Sequence, residues 1–296
     1  MAGLGAATIS SSAVLVTLSR EAGTSAVGTA FYRCALALPV LIALAVAEQR
    51  RYGPRPFGQR AKAAIAGVLL AVDLILWAHA IAAVGAGIAT VLGNLQVLFV
   101  AGIAWLVWRE RPSRAVVIAL PVVMLGVVLV SGLFDTPTAG RHPLTGIWYG
   151  IGTSLAYAGY LLVLRRSSAA SAHVAAPVAE ATAGAAIAAG TFGLVFGGLG
   201  LNPVWPAIGW LTMLALLSQT AGWLLITSSL PRLPAAVSSL MLLLQPAASL
   251  ALAAFILGQR PTVLQIVGAI LTCGGALAAS MSATKAATEA ELPAMG

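Results

Sequence analysis

Residues 86–108, AGIATVLGNLQVLFVAGIAWLVW, carry no charge and stop at Arg109-Glu110-Arg111-Pro112. As a helix rising 1.5 Å per residue, this stretch is long enough to cross the roughly 30 Å hydrocarbon core of a bilayer. Its echo further along the chain decides the fold. Shifted by 149 positions, Gly85 to Gly126 falls on Pro234 to Gly275. Ala86 meets Ala235, Leu95-Gln96 meets Leu244-Gln245, Ala104 meets Ala253, Arg111-Pro112 meets Arg260-Pro261, and Gly126 meets Gly275.

Working outward from this pair, ten apolar stretches read as spans: 4–19, 26–47, 63–83, 86–108, 114–133, 145–166, 174–196, 207–229, 234–257 and 262–282. Gly85 separates the third from the fourth, and Arg232 marks the turn between the eighth and ninth. Each half then holds five spans. Five is odd, so the second half enters the membrane from the opposite side, the inverted-repeat plan of secondary transporters. The expected organisation is a first five-helix repeat over 1–135, a loop over 136–144, a second repeat over 145–283 and a flexible tail over 284–296, with the chain after Met281 frayed and solvated. The expected fold is an all-α polytopic membrane protein, two inverted repeats around a central cavity.

Composition agrees. Of 296 residues, 60% are hydrophobic and 8% charged, against about 25% charged in a soluble domain. That excludes a soluble enzyme and a disordered chain. The formal charge of +8 does not indicate nucleic acid, because the basic residues are scattered through short loops. Cys34 and Cys273 lie in apolar runs, so no disulfide framework is indicated. The first stretch lacks a basic leader and contains Ser10, Ser11 and Ser12, so it reads as a span rather than a signal peptide. Twelve basic residues fall on the side of the N-terminus and three (Arg20, Arg141 and Arg260) on the other. Both termini are expected in the cytoplasm.

Several loose motifs now add up. They are Phe31-Tyr32-Arg33-Cys34-Ala35-Leu36-Ala37-Leu38, the span end Trp108-Arg109-Glu110-Arg111-Pro112, and Leu244-Gln245-Pro246 followed by Leu257-Gly258-Gln259-Arg260-Pro261. With ten short spans in two halves, the chain resembles the EamA-type branch of the drug/metabolite transporter superfamily over nearly its whole length, and within it the bacterial aromatic amino acid exporters. Val97 stands where the family typically has a proline, and Gln259 where it has an acid. The resemblance implies a basket of helices around a cavity lined mostly by spans one, three, four, six, eight and nine, export as the direction, and the bacterial inner membrane as the location.

Polar residues inside spans are costly and usually face a cavity or a partner. Arg33, Asp73, His79 and Glu180 are the ionisable ones. Asp73 and Trp77 share a face at helical spacing. Either they face the cavity, Asp73 holding a cation or proton and Trp77 stacking on the substrate, or they are a structural partner and packing. His79 faces the cavity or snorkels to the headgroups. Arg33 neutralises a carboxylate, binds a substrate carboxylate or reaches the outer interface. Glu180 lies at a different depth and reaches cytoplasmic water near Arg165 and Arg166. Gln96 and Gln245 sit at matching central depths and must find hydrogen bonds in a helix neighbour, water or a ligand. Pro246 removes a helix donor and frees the carbonyl near Leu242. Ser10 to Ser12, Tyr157, Tyr160, Ser218, Gln219 and Trp223 are polar or aromatic span centres, and Asn94 lies on the next face to Gln96. The candidate substrate-binding residues are Ser11, Asp73, Trp77, His79, Asn94, Gln96, Tyr157, Gln219, Trp223 and Gln245. Trp105, Trp108, Trp148, Trp205 and Trp210 fit the interfacial belt. Gly152-Thr153-Ser154-Leu155-Ala156 is a packing stretch despite a passing likeness to a nucleophile elbow.

An ATP-driven pump is excluded, because neither Lys62 nor Lys285 follows a phosphate-cradling glycine loop. A channel would need a filter or charged ring. An intramembrane enzyme would need a zinc pair or paired aspartates, and His79, His142 and His173 are far apart. Alternating-access transport remains, with no cofactor. Asp73 and Glu180 are the candidate proton carriers. A cavity of tyrosine, tryptophan and amides suits a small amino acid with an apolar or aromatic side chain, and would also suit a cationic drug or neutral metabolite. A lone acid without a nearby base would favour cations. The expected partners are the bilayer and this small molecule, and a monomer satisfies the reading.

Overall fold

A computed structural model describes residues 2–131, 133–134, 143–169, 172–200, 203–229, 235–256, 258 and 260–291. The expectations for Arg141, His142, Arg232, Gln259 and the last five residues lie outside the described residues. The described chain is helical: α1 (Ala2–Glu21), α2 (Ala26–Tyr52), α3 (Phe57–Asn94), α4 (Gln96–Trp108), α5 (Arg114–Val130), α6 (Pro143–Ser168) and α7 (Ala175–Phe196). There follow α8 (Ala207–Met213), a π-helical stretch (Leu214–Gly222), α9 (Trp223–Ser229), α10 (Ala235–Leu242), α11 (Leu244–Ile256) and α12 (Val263–Glu291). Six helical segments are long and apolar enough to cross a membrane, and shorter apolar helices cover 114–130, 240–256 and 263–278. Among the described residues the stretches read as spans lie on helical backbone, but the third and the start of the fourth share α3, and the eighth and ninth are each divided among shorter helices. α12 continues past Met281 to Glu291.

Local chemistry sets the helix ends. Ser25 caps α2 by accepting from the Gly28 N–H at 2.8 Å, and Ser113 caps α5 by accepting from Val116 at 3.3 Å. The Gly53 N–H closes α2 onto the Gln49 carbonyl at a φ of 83°, a left-handed conformation that favours glycine.

α3 hides a reversal. Its helical backbone runs unbroken through Gly85, yet two adjacent residues of α6 touch both its arms. Thr153 Oγ1 donates to the Asp73 carbonyl at 3.4 Å, and Ser154 Oγ donates to the carbonyls of Leu92 and Gly93. A straight helix would hold residues 73 and 92 about 28 Å apart. The chain therefore doubles back between them, around the expected turn at Gly85.

Packing is reciprocal between the halves. α6 lies on α3 and α4, while α1 lies on the π stretch, α9 and α11; α2 runs along α7 and α5 along α12. Small residues permit the closest approaches. A Cβ at Gly67 would collide with the Ala181 carbonyl, and one at Gly126 with Thr272 and the Gly268 carbonyl. The helix breaks are reciprocal too. α3 and α4 meet at Leu95, whose N–H bonds to the Leu92 carbonyl at 3.1 Å; α10 and α11 meet at Leu243, whose N–H bonds to Leu240 at 3.1 Å. Pro246 accounts for the second break. The first forms without proline, next to Gly93 and to Asn94, whose side-chain amide donates to the Thr90 carbonyl at 2.8 Å.

Candidate functional site

The breaks and the reversal frame a cavity of about 460 Å³ between the halves, within the usual range for small-molecule sites. Its rim is made by Thr17, Thr90, Ser131 and Gln265, and deeper positions by Leu70, Gln96, Tyr157, Trp223 and Leu242. Thr17, Ser131 and Gln265 lie where α1 and α5 end and α12 begins. Beyond Trp223, Tyr160 is fully buried, and the Tyr160 and Trp223 rings meet edge to face at 4.7 Å, with Tyr157 and Tyr160 stacked at 6.0 Å. These three rings close the opposite end.

Asp73 and Trp77, one turn apart on α3, both line the cavity. Asp73 is 8% exposed, and its carboxylate has no ion pair or hydrogen bond among the described residues. Gln96, Asn94, Tyr157, Trp223 and Gln245 also line the wall. Gln96 Oε1 and Gln245 Nε2 are buried without a hydrogen-bond partner. Pro246 and Leu242 flank Gln245 in the same wall, where the carbonyl freed by the proline belongs.

Three of the expected residues are placed elsewhere. Ser11 turns away and bonds to the Thr8 carbonyl at 2.7 Å, while Ser10 and Ser12 reach the wall. His79 is exposed, with Nδ1 2.8 Å from the Ile75 carbonyl and its ring 5.3 Å from Tyr149. Gln219 is buried behind the wall, where it accepts from Arg33 Nε at 3.1 Å and donates to Thr182 Oγ1 at 3.1 Å. Arg33 itself lines the cavity and also donates to Ser218 Oγ at 3.3 Å. The π-helical stretch carries Ser218 and Gln219 and presents both to α2; Thr220 Oγ1 donates back five residues to Ala215. Sequence reasoning leaves binding of a substrate carboxylate as one of three alternatives for Arg33 and does not count it among the candidate substrate-binding residues. The signal was available: an arginine inside an apolar span, and a Ser-Gln pair in the centre of another.

The six spans implied by the resemblance all contribute. Arg33 from α2, Ser131 after α5 and Gln265 from α12 extend the lining beyond them. Glu180 has different partners from those expected. It pairs with Arg55 and, at 3.2 Å, with Arg60, while Arg165 pairs with Glu110 at 2.8 Å and Arg166 lies over the Trp108 ring at 4.4 Å. Burial works against the Arg55 charge, and Glu180 offsets it. Nearby, the Glu48 carboxylate accepts the N–H groups of Val174, Ala175 and Ala176, each at 2.9 Å, an anion at a helix N-terminus. Among the described residues no group of three or more His, Cys, Asp or Glu is placed to hold a metal ion.

A helical membrane protein with an internal repeat and a largely apolar cavity that carries several polar side chains between its halves is thus defined. Residues 1–132 and 144–281 each match the EamA-like transporter family, and the chain belongs to that family, within the drug/metabolite transporter superfamily. The fold is similar to that of a protein solved by crystallography, at a TM-score of 0.78 and 17% identity, covering 96% of each chain. No curated protein matches.

Proposed function

We propose that this transporter is a secondary exporter that moves apolar or aromatic amino acids by alternating access. In this reading ten spans form two inverted repeats, both termini are cytoplasmic, the membrane is the bacterial inner membrane, and the cavity opens outward. The observation that carries the substrate class is the pairing of Arg33 with Asp73. Both line one cavity, and no ion pair joins them within 4.0 Å. Opposite charges that do not neutralise each other suit a zwitterion, with the substrate carboxylate on the Arg33 fork and its ammonium on Asp73. Trp77, Tyr157 and Trp223 offer ring faces to an apolar side chain. Ser11, His79 and Gln219 drop out of direct contact in this reading, and Gln219 holds Arg33 from behind.

The reciprocal packing and the reciprocal breaks at Leu95 and Leu243 support the inverted two-fold plan. The Arg33 guanidinium in the same cavity as Asp73 weighs against cationic drugs, which a lone acid would favour. Liposome flux of a labelled amino acid panel, with and without a pH gradient, tests the reading. Aromatic and large apolar amino acids should cross fastest, and stimulation by the gradient would make Asp73 the proton carrier to test. Equal flux of amines that lack a carboxylate would support cation export instead.

A further inference from the structure

A second concavity lies on the outer surface of the helix bundle. α3 and α7 touch where Gly184 meets the Ala64 carbonyl, leaving no room for a Cβ. Above that point they leave a groove of about 510 Å³, walled by Val68, Ile187 and Thr191 and reaching Phe196. The Phe192 and Phe196 rings, 4.8 Å apart, close its far end. From Gly184 to Phe196 the groove measures about 18 Å at helical rise, close to the roughly 15 Å of one leaflet's hydrocarbon.

The charge lies at the other end. Arg60 and Glu180 sit one helical turn before Ala64 and Gly184 on the same faces, Nε to Oε1 at 3.2 Å. Glu180 is already paired with Arg55, whose side chain is fully buried, whereas the Arg60 side chain is 55% exposed. Arg60 thus shares its carboxylate and keeps an exposed guanidinium, and exposed Lys62 adds a further positive charge. We propose that the α3–α7 groove binds one anionic phospholipid, with an acyl chain between Gly184 and Phe196 and the phosphate on Arg60. The apolar length fits a single chain, and the guanidinium at its foot selects a negative headgroup.

Native mass spectrometry of the full-length protein, released from micelles holding equal phosphatidylglycerol and phosphatidylcholine, reads this directly. One phosphatidylglycerol should be retained in preference to phosphatidylcholine. Arg60→Gln should lower that retention about fivefold, the usual effect of one basic residue at an anionic surface, and Arg60→Lys should restore most of it. Thr191→Trp, which fills the groove and leaves the Arg60–Glu180 pair untouched, should lower retention independently, and detergent melting checks that each variant is folded. Equal retention of the two lipids by the native chain would overturn the proposal. So would retention unchanged in both Arg60→Gln and Thr191→Trp, or a dimer that Thr191→Trp dissociates, which would make the groove an interface between copies.

Discussion

Arg33 on α2 donates through Nε to Gln219 Oε1 on the π-helical stretch at 3.1 Å, so a residue of the first half is aimed into the cavity by a residue of the second. Gln219 in turn donates to Thr182. Gln219→Leu leaves a buried guanidinium and a threonine each short of a partner. A stability loss of about 1.5–3 kcal/mol is expected, measured by melting in detergent. The transport readout separates positioning from mere structure. KM should rise for an amino acid and stay level for the corresponding amine, because only the former needs a correctly aimed Arg33. Equal changes for both would make Gln219 a packing residue.

Asp73 has the opposite signature. Its carboxylate has no protein partner among the described residues, so Asp73→Asn strands nothing and should leave melting unchanged. Flux of zwitterions should fall by at least about tenfold, which corresponds to roughly 1.4 kcal/mol of lost binding. A large drop in melting with normal flux would assign Asp73 to the helix packing.

The amide pair gives a symmetric test. Gln96 Oε1 and Gln245 Nε2 are buried and unpartnered, in matching helices just after the breaks at Leu95 and Leu243. Replacing a structural amide with leucine would strand its partner at a cost of about 1–3 kcal/mol; here the unpartnered atoms have none to strand. Gln96→Leu and Gln245→Leu should keep their melting temperatures and lose liposome flux. Normal flux with reduced melting at either position would remove that residue from the site.

How far the chain could be read in advance varied with the range of the interaction. Span positions depend on local apolar runs and emerged directly, and the turn near Gly85 lies where the two arms of α3 reverse. The cavity positions of Asp73, Trp77, Gln96 and Gln245 followed from depth and helical spacing. Register within a helix was harder. Ser11 is rotated by about 100° from its neighbours on an α-helix, so a three-serine run could not say which hydroxyls face inward. Arg33 was ambiguous because its aim depends on Gln219, 186 residues away, presented by π turns that have no clear sequence mark. Glu180 was referred to the nearer Arg165 and Arg166. Its actual partners, Arg55 and Arg60, come from the other half of the chain.

Aromatic recognition can be separated from packing at Trp77. The ring lines the cavity beside Asp73. Trp77→Ala should cost about 1–3 kcal/mol of binding by analogy with stacking of nucleic-acid bases on aromatic side chains, and the loss should be larger for aromatic than for small amino acids. Titration of a fluorinated amino acid series by NMR reads this without transport. Equal losses across the series would point to a packing role.

The end of the molecule away from the cavity mouth is held by Glu48, whose carboxylate accepts three backbone N–H groups at the start of α7. His173 adds a contact from Nε2 to the Gly53 carbonyl at 2.9 Å, and Arg55 NH2 donates to the Ser167 carbonyl at 2.5 Å. All of these join the α2–α3 connection to the second half, so opening this end requires their rupture. Glu48→Ala removes every acceptor at the α7 N-terminus and should cost about 0.5–2 kcal/mol, the range for loss of a helix cap. Glu48→Gln keeps one acceptor and should fall between. The conformational consequence has a direction. If these contacts hold the outward-open state, weakening them should raise the population open at the α2–α3 end. Tyr160 is one of the three closing rings at that end, so Tyr160→Cys, in a background lacking Cys34 and Cys273, reports it when compared with the same variant carrying Glu48. Its reaction with an impermeant maleimide applied from the α2–α3 side should accelerate in the Glu48→Ala background, while reaction of Thr17→Cys at the opposite rim should slow. Acceleration at both positions would instead mean general loosening of the bundle, and no change at either would make the Glu48 contacts a static tie.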